Sequence, residues 1–303
     1  MPLWRHPNEL QLGVGQNALR IKGLSAGQER LISLLYRGVP DDFLIQAAEA
    51  VGAEDPATLI EKIQPALLGR AGEPTTLTAE YIETHFAEIC RAQATHSIDG
   101  SVVLQQRKHS RIFVQSCGET TSLIAKSLGQ AAIGFIVTDD DSNFETESKV
   151  EILSEQRDSQ IDKIDFAILI SQNAVSPGSY SPWLGRSIAH ISVVFDVDGL
   201  TVSPVIEAGK TPCLSCFHEA QIRSDGDWPA IASQLLFSKQ KFDDVSARLF
   251  AAALVCQRAI NLIDEAAGFS TTAANRTGYR LSMASGKITE FDWQFSEACT
   301  CRF

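Results

Sequence analysis

From Arg111 onward, short apolar runs alternate with amphipathic stretches, and no other feature constrains the fold as strongly. A chain that repeatedly passes from strand to helix to strand builds a parallel sheet covered on its faces by the helices. Arg111–Gln115 reads as a strand, Thr120–Leu128 as a helix and Ile133–Thr138 as a second strand. Lys149–Leu153, Phe166–Ser171, Ala189–Phe195 and Leu200–Ile206 read as further strands. Trp228–Phe237 and the long periodic stretch Val245–Ala267 read as helices, and Gly278–Ala284 pairs with Ile288–Trp293 as a hairpin about Ser285-Gly286. The expected class is α/β, with a Rossmann-like, mostly parallel sheet over residues 96–303.

The first 95 residues follow a different pattern. Glu9–Gly23 holds two alternating stretches around Gly15-Gln16-Asn17, a hairpin signal. Helical periodicity follows, with Ser25 ahead of Glu29–Tyr36, Pro40-Asp41-Asp42 ahead of Phe43–Val51, and Pro56 ahead of Leu59–Ile63. A hairpin with three short helices predicts a small winged-helix-like α+β domain over 1–95. Gly69–Thr78 reads as a loop, and Ala79–Ala94 as a helix bridging to the second domain.

At 303 residues and 44% apolar composition the chain is large enough for both domains. Winged helices often bind DNA, so charge becomes the test. The chain carries 26 Lys and Arg against 37 Asp and Glu, a net charge of -11 and a pI near 5.0. Residues 1–100 alone hold 8 basic and 13 acidic side chains. Both balances argue against a nucleic-acid face, which needs clustered cations. Apolar runs such as Ala131–Val137 fall short of the roughly 20 residues that cross a bilayer, and the N-terminus lacks a secretion pattern, so a cytoplasmic location without a membrane is expected.

Seven cysteines, an odd number, argue against a secreted disulfide framework. Cys213 and Cys216 form a C-x-x-C after Thr211-Pro212, and Cys299 and Cys301 form a C-x-C at the end of the chain. If the tail returns to the first pair, the four thiolates can hold one zinc ion. Such a closed set leaves no open coordination position, so the metal would be structural. A redox dithiol at the first pair, or two unrelated pairs of core thiols, are the alternatives. Cys90 and Cys256 read as small hydrophobes on helix faces. Cys117, in the turn Ser116-Cys117-Gly118-Glu119, reads as a turn filler in preference to a nucleophile. Trp183 reads as a core aromatic and His218 as a surface residue.

In an open parallel sheet, phosphates bind at the first strand-to-helix turn. Here that turn offers one glycine, Gly118, followed by the acidic Glu119. The second strand ends in Thr138-Asp139-Asp140-Asp141, where Asp139 or Asp141 is placed to accept ribose hydroxyls. Gly118, Asp139 and Asp141 are thus the candidate cofactor residues.

The stretch Val202-Ser-Pro-Val-Ile-Glu-Ala-Gly-Lys-Thr-Pro-Cys-Leu-Ser-Cys-Phe-His-Glu-Ala220, with Asp227-Trp-Pro-Ala230 and the terminal Cys299-Thr-Cys301, resembles the ThiF/MoeB family of adenylating enzymes related to ubiquitin activators. More narrowly it resembles the actinobacterial cyclodehydratase-type members, whose small winged-helix module recognises peptides. The resemblance runs from about Arg111 to the end. It implies structural zinc on Cys213, Cys216, Cys299 and Cys301, a homodimer, and a peptide or protein substrate shared with a modifying enzyme. Three departures bear on the ancestral reaction. Ser116–Thr121 replaces the family's G-x-G-x-x-G, Ser142–Glu147 replaces an Asn-Arg-Gln-like stretch, and Ser171-Gln172-Asn173 stands where a magnesium-binding Asp would follow the strand. With neither cation nor metal ligand there, ATP and magnesium are not expected to be retained. The sequence therefore predicts a non-catalytic ThiF-like zinc protein that presents a peptide or protein to a partner modifying enzyme. A carboxylate-activating adenylyltransferase is the first alternative, and a winged-helix DNA-binding regulator the second.

Overall fold

The computed structural model describes residues 2–7, 9–14, 18–66, 77–96, 98–139, 145–152, 163–269 and 277–302. The chain divides into two compact units, Met1–Ala71 and Gly72–Phe303.

In the first unit, β1 (Pro2–His6), β2 (Glu9–Leu12) and β3 (Leu19–Lys22) form an antiparallel sheet in the order β1-β2-β3. The hairpin predicted from Glu9–Gly23 is β2 with β3. The strand β1 was not expected, because Pro2–His6 carries no alternation of apolar and polar residues. Leu10 and Ile21 pair across the hairpin and point into a core with Leu24, Leu31, Ile32, Ala48, Leu59 and Ile63. Leu24 lies just ahead of the first helix, and the others come from helices Ala26–Arg37, Leu44–Ala50 and Pro56–Ile63. Ser25 starts the first helix with a reciprocal capping box to Gln28, and Asp55 with Pro56 starts the third. All three strands precede the helices.

The second unit is built on eight strands: β4 (Arg111–Val114), β5 (Phe135–Thr138), β6 (Lys149–Ile152), β7 (Phe166–Gln172), β8 (His190–Asp196), β9 (Gly199–Val202), β10 (Gly278–Ser282) and β11 (Ile288–Phe291). Their order is β11-β10-β9-β8-β7-β4-β5-β6. Strands β4 to β8 pair in parallel and β9 to β11 antiparallel. The order reverses between β4 and β7, which makes that point the topological switch of an open α/β sheet.

The central strands are apolar at nearly every position because both faces are covered. Alternate residues serve the two faces. Ile112, Val114, Phe166, Ile168, Ile170, Ile191, Val193 and Phe195 pack with the long helix Val245–Ala266 through Ala247, Ala251, Val255, Ala259 and Ile263. Phe113, Val137, Ala167 and Leu169 pack on the other face with Tyr180, Trp183 and Leu214. Val245–Ala266 is long and apolar enough to cross a membrane, but its buried face makes it the core helix of this sheet.

Helices Ala79–Thr84 and Phe86–His96 replace the single helix expected over 79–94 and lie within the second unit, past the division at residue 71. Helix Gly100–Arg107 supplies a buried anchor. Arg107 Nε donates to Asp264 Oδ1 at 2.8 Å and Nη2 to Oδ2 at 2.6 Å, with His96 Nε2 2.9 Å from the same Oδ2.

Candidate functional site

Cys213 adopts extended backbone at the N-terminus of helix Leu214–Ser224, and Cys216 sits in its first turn. Both are fully buried. The C-terminal tail returns to them. Gly209 N donates to the Cys301 carbonyl at 3.0 Å, Arg223 Nη1 donates to Ser296 Oγ at 3.2 Å, and Trp293 and Phe295 pack on the surrounding core. All four sulfurs lie within 4.8 Å of one another. The Cys213–Cys216, Cys213–Cys299 and Cys216–Cys301 separations are 4.0, 3.5 and 3.4 Å. Zinc–sulfur bonds of about 2.3 Å in a tetrahedron put neighbouring sulfurs about 3.75 Å apart, so the donor set fits one ion. A disulfide needs about 2.05 Å, and all four cysteines are free thiols. Burial raises the Cys299 and Cys301 thiols. Burial acts on Cys216 in the same direction, but the Ser296 and Cys213 amides and the neighbouring thiols outweigh it and lower this group. Four clustered thiols cannot all ionise without a cation to offset their charge, which is the role a divalent metal fills.

Gly118 and Asp139, two of the other predicted residues, lie beside the switch point. Gly118 caps helix Glu119–Gln130 with φ +54°, a left-handed conformation that favours glycine, and a Cβ there would meet open space. Three amides of the turn are engaged from within. Ser116 N donates to Asp139 Oδ1 at 2.8 Å, Cys117 N to Thr121 Oγ1 at 2.7 Å, and Thr120 N to the Cys117 carbonyl at 3.2 Å. Thr120 Oγ1 donates to Asp243 Oδ2 at 2.9 Å, and Gln172 Nε2 to Asp243 Oδ1 at 3.0 Å. Gln172 Oε1 in turn accepts from Phe242 N, and Asn173 Nδ2 donates to the Gln240 carbonyl. The segment ahead of the long helix is thereby tied over the ends of β4 and β7. It brings the Asp243 carboxylate beside the turn, where Glu119 and Asp139 already place negative charge. Asp141 lies outside the described residues, as do 142–144 of the stretch that follows.

Sequence spacing alone missed Asp243, because Gln172 and Asp243 are 71 residues apart and Asp243 stands in a polar run before a helix. Burial raises the Cys117 thiol, with Gln172 pulling weakly the other way, so the turn does not generate a thiolate. Burial pushes Cys256 up to about 12, as expected of a core thiol. Cys90, expected in a core, is exposed. Its helix buries Ile89 and Ala92 instead, which shifts the apolar stripe off Cys90. Trp183 is buried against Phe113 with ring centroids 4.6 Å apart. His218 is half-buried among aromatic rings and is not on the surface, since Tyr180 and Phe217 flank it.

No family model matches the chain, and no curated protein matches it in sequence. Solved structures do match. Escherichia coli MccB with AMPCPP and selenomethionine-labelled MccA superposes with a TM-score of 0.65 at 15% identity, over 99% of this chain and 96% of that one. The chain shares its fold with this MccB structure. A second MccB structure, of the microcin C7 biosynthetic enzyme in complex with N-formylated MccA, gives 0.59 at 15% identity over 98% of each chain. PaaA gives 0.58 at 15% identity over 78% of this chain and 90% of that one.

Proposed function

We propose that the protein is a ThiF-like zinc protein that recognises a peptide or protein segment and presents it to a partner modifying enzyme, without adenylating it. The observation that carries this reading is the state of the phosphate position. In a working nucleotide turn the amides at the helix start face the ligand. Here Ser116 and Cys117 donate to the protein's own side chains, and Asp139, Glu119 and Asp243 surround the place where a triphosphate would need cations. Zinc, held by Cys213, Cys216, Cys299 and Cys301, would pin the tail to the sheet.

Peptide recognition is supported by two further points. The MccB structures that share the fold were solved with MccA. The first unit, read as a winged-helix-like recognition module, has β3 at the edge of its sheet, where an extended segment can add by backbone pairing. The cyclodehydratase-type affiliation, a homodimer and the partner enzyme belong to the same proposal. The test is a photo-cross-linking residue at Arg20, an exposed position of β3, in the full chain inside its host. A discrete peptide or protein adduct is expected, and its absence overturns the capture role.

A carboxylate-activating adenylyltransferase is the second reading. Gly118 at a helix N-terminus beside the switch point favours it, as does the MccB structure with ATP among those sharing the fold. It predicts pyrophosphate exchange that is lost on Asp141→Ala.

A further inference from the structure

The sheet face opposite the long helix holds a second cavity-forming arrangement that the zinc cluster and the switch-point crevice do not use. Strand β8 sends Ile191, Val193 and Phe195 into the core beneath Val245–Ala266, which leaves Ser192, Val194 and Asp196 on the other face. Helix Leu214–Ser224 and the chain around β11 line a partly open cavity of about 260 Å³ over them. Phe217, Trp228, Phe291 and Trp293 form its aromatic walls. Phe217 and Trp293 stack at 4.9 Å between centroids.

Three buried polar atoms of this lining have no hydrogen-bond partner: Ser192 Oγ, His218 Nε2 and Trp293 Nε1. Ser192 is only 1% exposed. Native structures rarely leave such groups unmatched, so three in one cavity point to a ligand that supplies what they lack. Their polarity can be assigned. An indole nitrogen only donates. Trp228 Nε1 donates to His218 Nδ1 at 3.4 Å, which leaves the proton of the neutral ring on Nε2. Trp293 and His218 therefore donate, and the Ser192 hydroxyl can join them.

The same lining argues against an anion. Its one cation, Arg280, donates to Thr201 Oγ1 at 2.9 Å and contacts the Asp196 and Asp198 carboxylates at 3.4 Å, so its charge is already matched. Its volume of about 260 Å³ suits a group smaller than a nucleotide. We infer that this cavity binds one neutral aromatic amide group, with the ring packed among the aromatic walls and the carbonyl oxygen accepting from Trp293 Nε1 and His218 Nε2. That a peptide presents this group, as an aromatic residue does, rests on the proposed function; the cavity's preference for an aromatic amide does not.

The test uses the full chain, loaded with zinc and ¹⁵N-labelled at tryptophan, with N-acetylphenylalaninamide as probe. The chain has four tryptophans, so the indole region of the spectrum is simple, and Trp293→Phe assigns the reporting signal. The expected result is a saturable downfield shift of the Trp293 indole proton. Ser192→Ala should weaken binding about tenfold, and N-acetylalaninamide should bind at least about tenfold more weakly. A Trp293 signal that does not saturate, or that answers equally to both probes, overturns the inference. If Trp293→Phe fails to fold, His218→Gln supplies the second variant, with a loss of about tenfold expected and an unchanged affinity refuting the donor assignment. Probe binding without an adduct at Arg20 would keep the cavity and remove the capture reading, and an adduct without a Trp293 response would do the reverse.

Discussion

Asp264→Ala should be among the most damaging single substitutions in the second unit. The Asp264 carboxylate is 2% exposed and receives both Nε and Nη2 of Arg107, itself 3% exposed, at 2.8 and 2.6 Å. Two charges out of water at this distance are held by their mutual bidentate bonds, and removing Asp264 leaves the buried Arg107 with the half-exposed Glu88 carboxylate, 3.6 Å away, as its counter-charge. Breaking such a pair costs about 3–5 kcal/mol. For a unit of this size each kcal/mol moves the melting temperature by roughly 2–4 °C, so a fall of roughly 6–20 °C is expected in a calorimetric scan. The stranded charge is the cause, so the double variant Arg107→Met with Asp264→Leu should recover most of the loss, since an apolar pair carries no desolvation cost. A single-variant loss below about 1 kcal/mol, or a double variant no better than Asp264→Ala, would refute this reasoning.

Other expectations follow from the same contacts. Native mass spectrometry should find one zinc per chain, and Cys301→Ser should weaken its binding on the order of 100-fold; equal zinc content in wild type and variant would contradict the cluster. Burial lowers the pKa of fully buried His190 to about 4, against a rise from the Ile188 carbonyl that accepts from Nδ1. The unfolded chain therefore takes up a proton near pH 6.5 that the native chain refuses until about pH 4. Stability from this group is complete above pH 6.5 and falls by about 3 kcal/mol as pH drops to 4. Urea midpoints of His190→Asn should show a correspondingly flatter pH dependence than wild type. Asp243→Ala removes the acceptor of Thr120 and Gln172 and should cost about 1–3 kcal/mol, with faster proteolysis within residues 238–244 as the readout.

The sheet was legible because Ile112–Val114 and Phe166–Ile170 are apolar on both faces and Ile191–Phe195 is apolar at every position but Ser192, the pattern of a covered parallel sheet. The cysteine cluster was legible for a similar reason: short gaps within each pair leave one sequence separation for the fold to close. Other features carried no local signal. Strand β1 lacks alternation and is recruited by pairing with β2. The helices at 79–96 take their place through contacts such as His96 with Asp264, 168 residues away. Asp243 and the cavity around Ser192 arise where distant segments meet. The polar residues His190 and Ser192 within an otherwise apolar strand were the sequence hint that this face of β8 is not packed by apolar side chains alone.

The central claim is that the switch-point turn no longer cradles phosphates. Calorimetric titration of magnesium-ATP into the zinc-loaded full chain tests it most directly. The account predicts no heat of binding at millimolar nucleotide, with the Ser116 and Cys117 amides held by Asp139 and Thr121. Saturable binding in the micromolar range would contradict it and put the adenylyltransferase reading first.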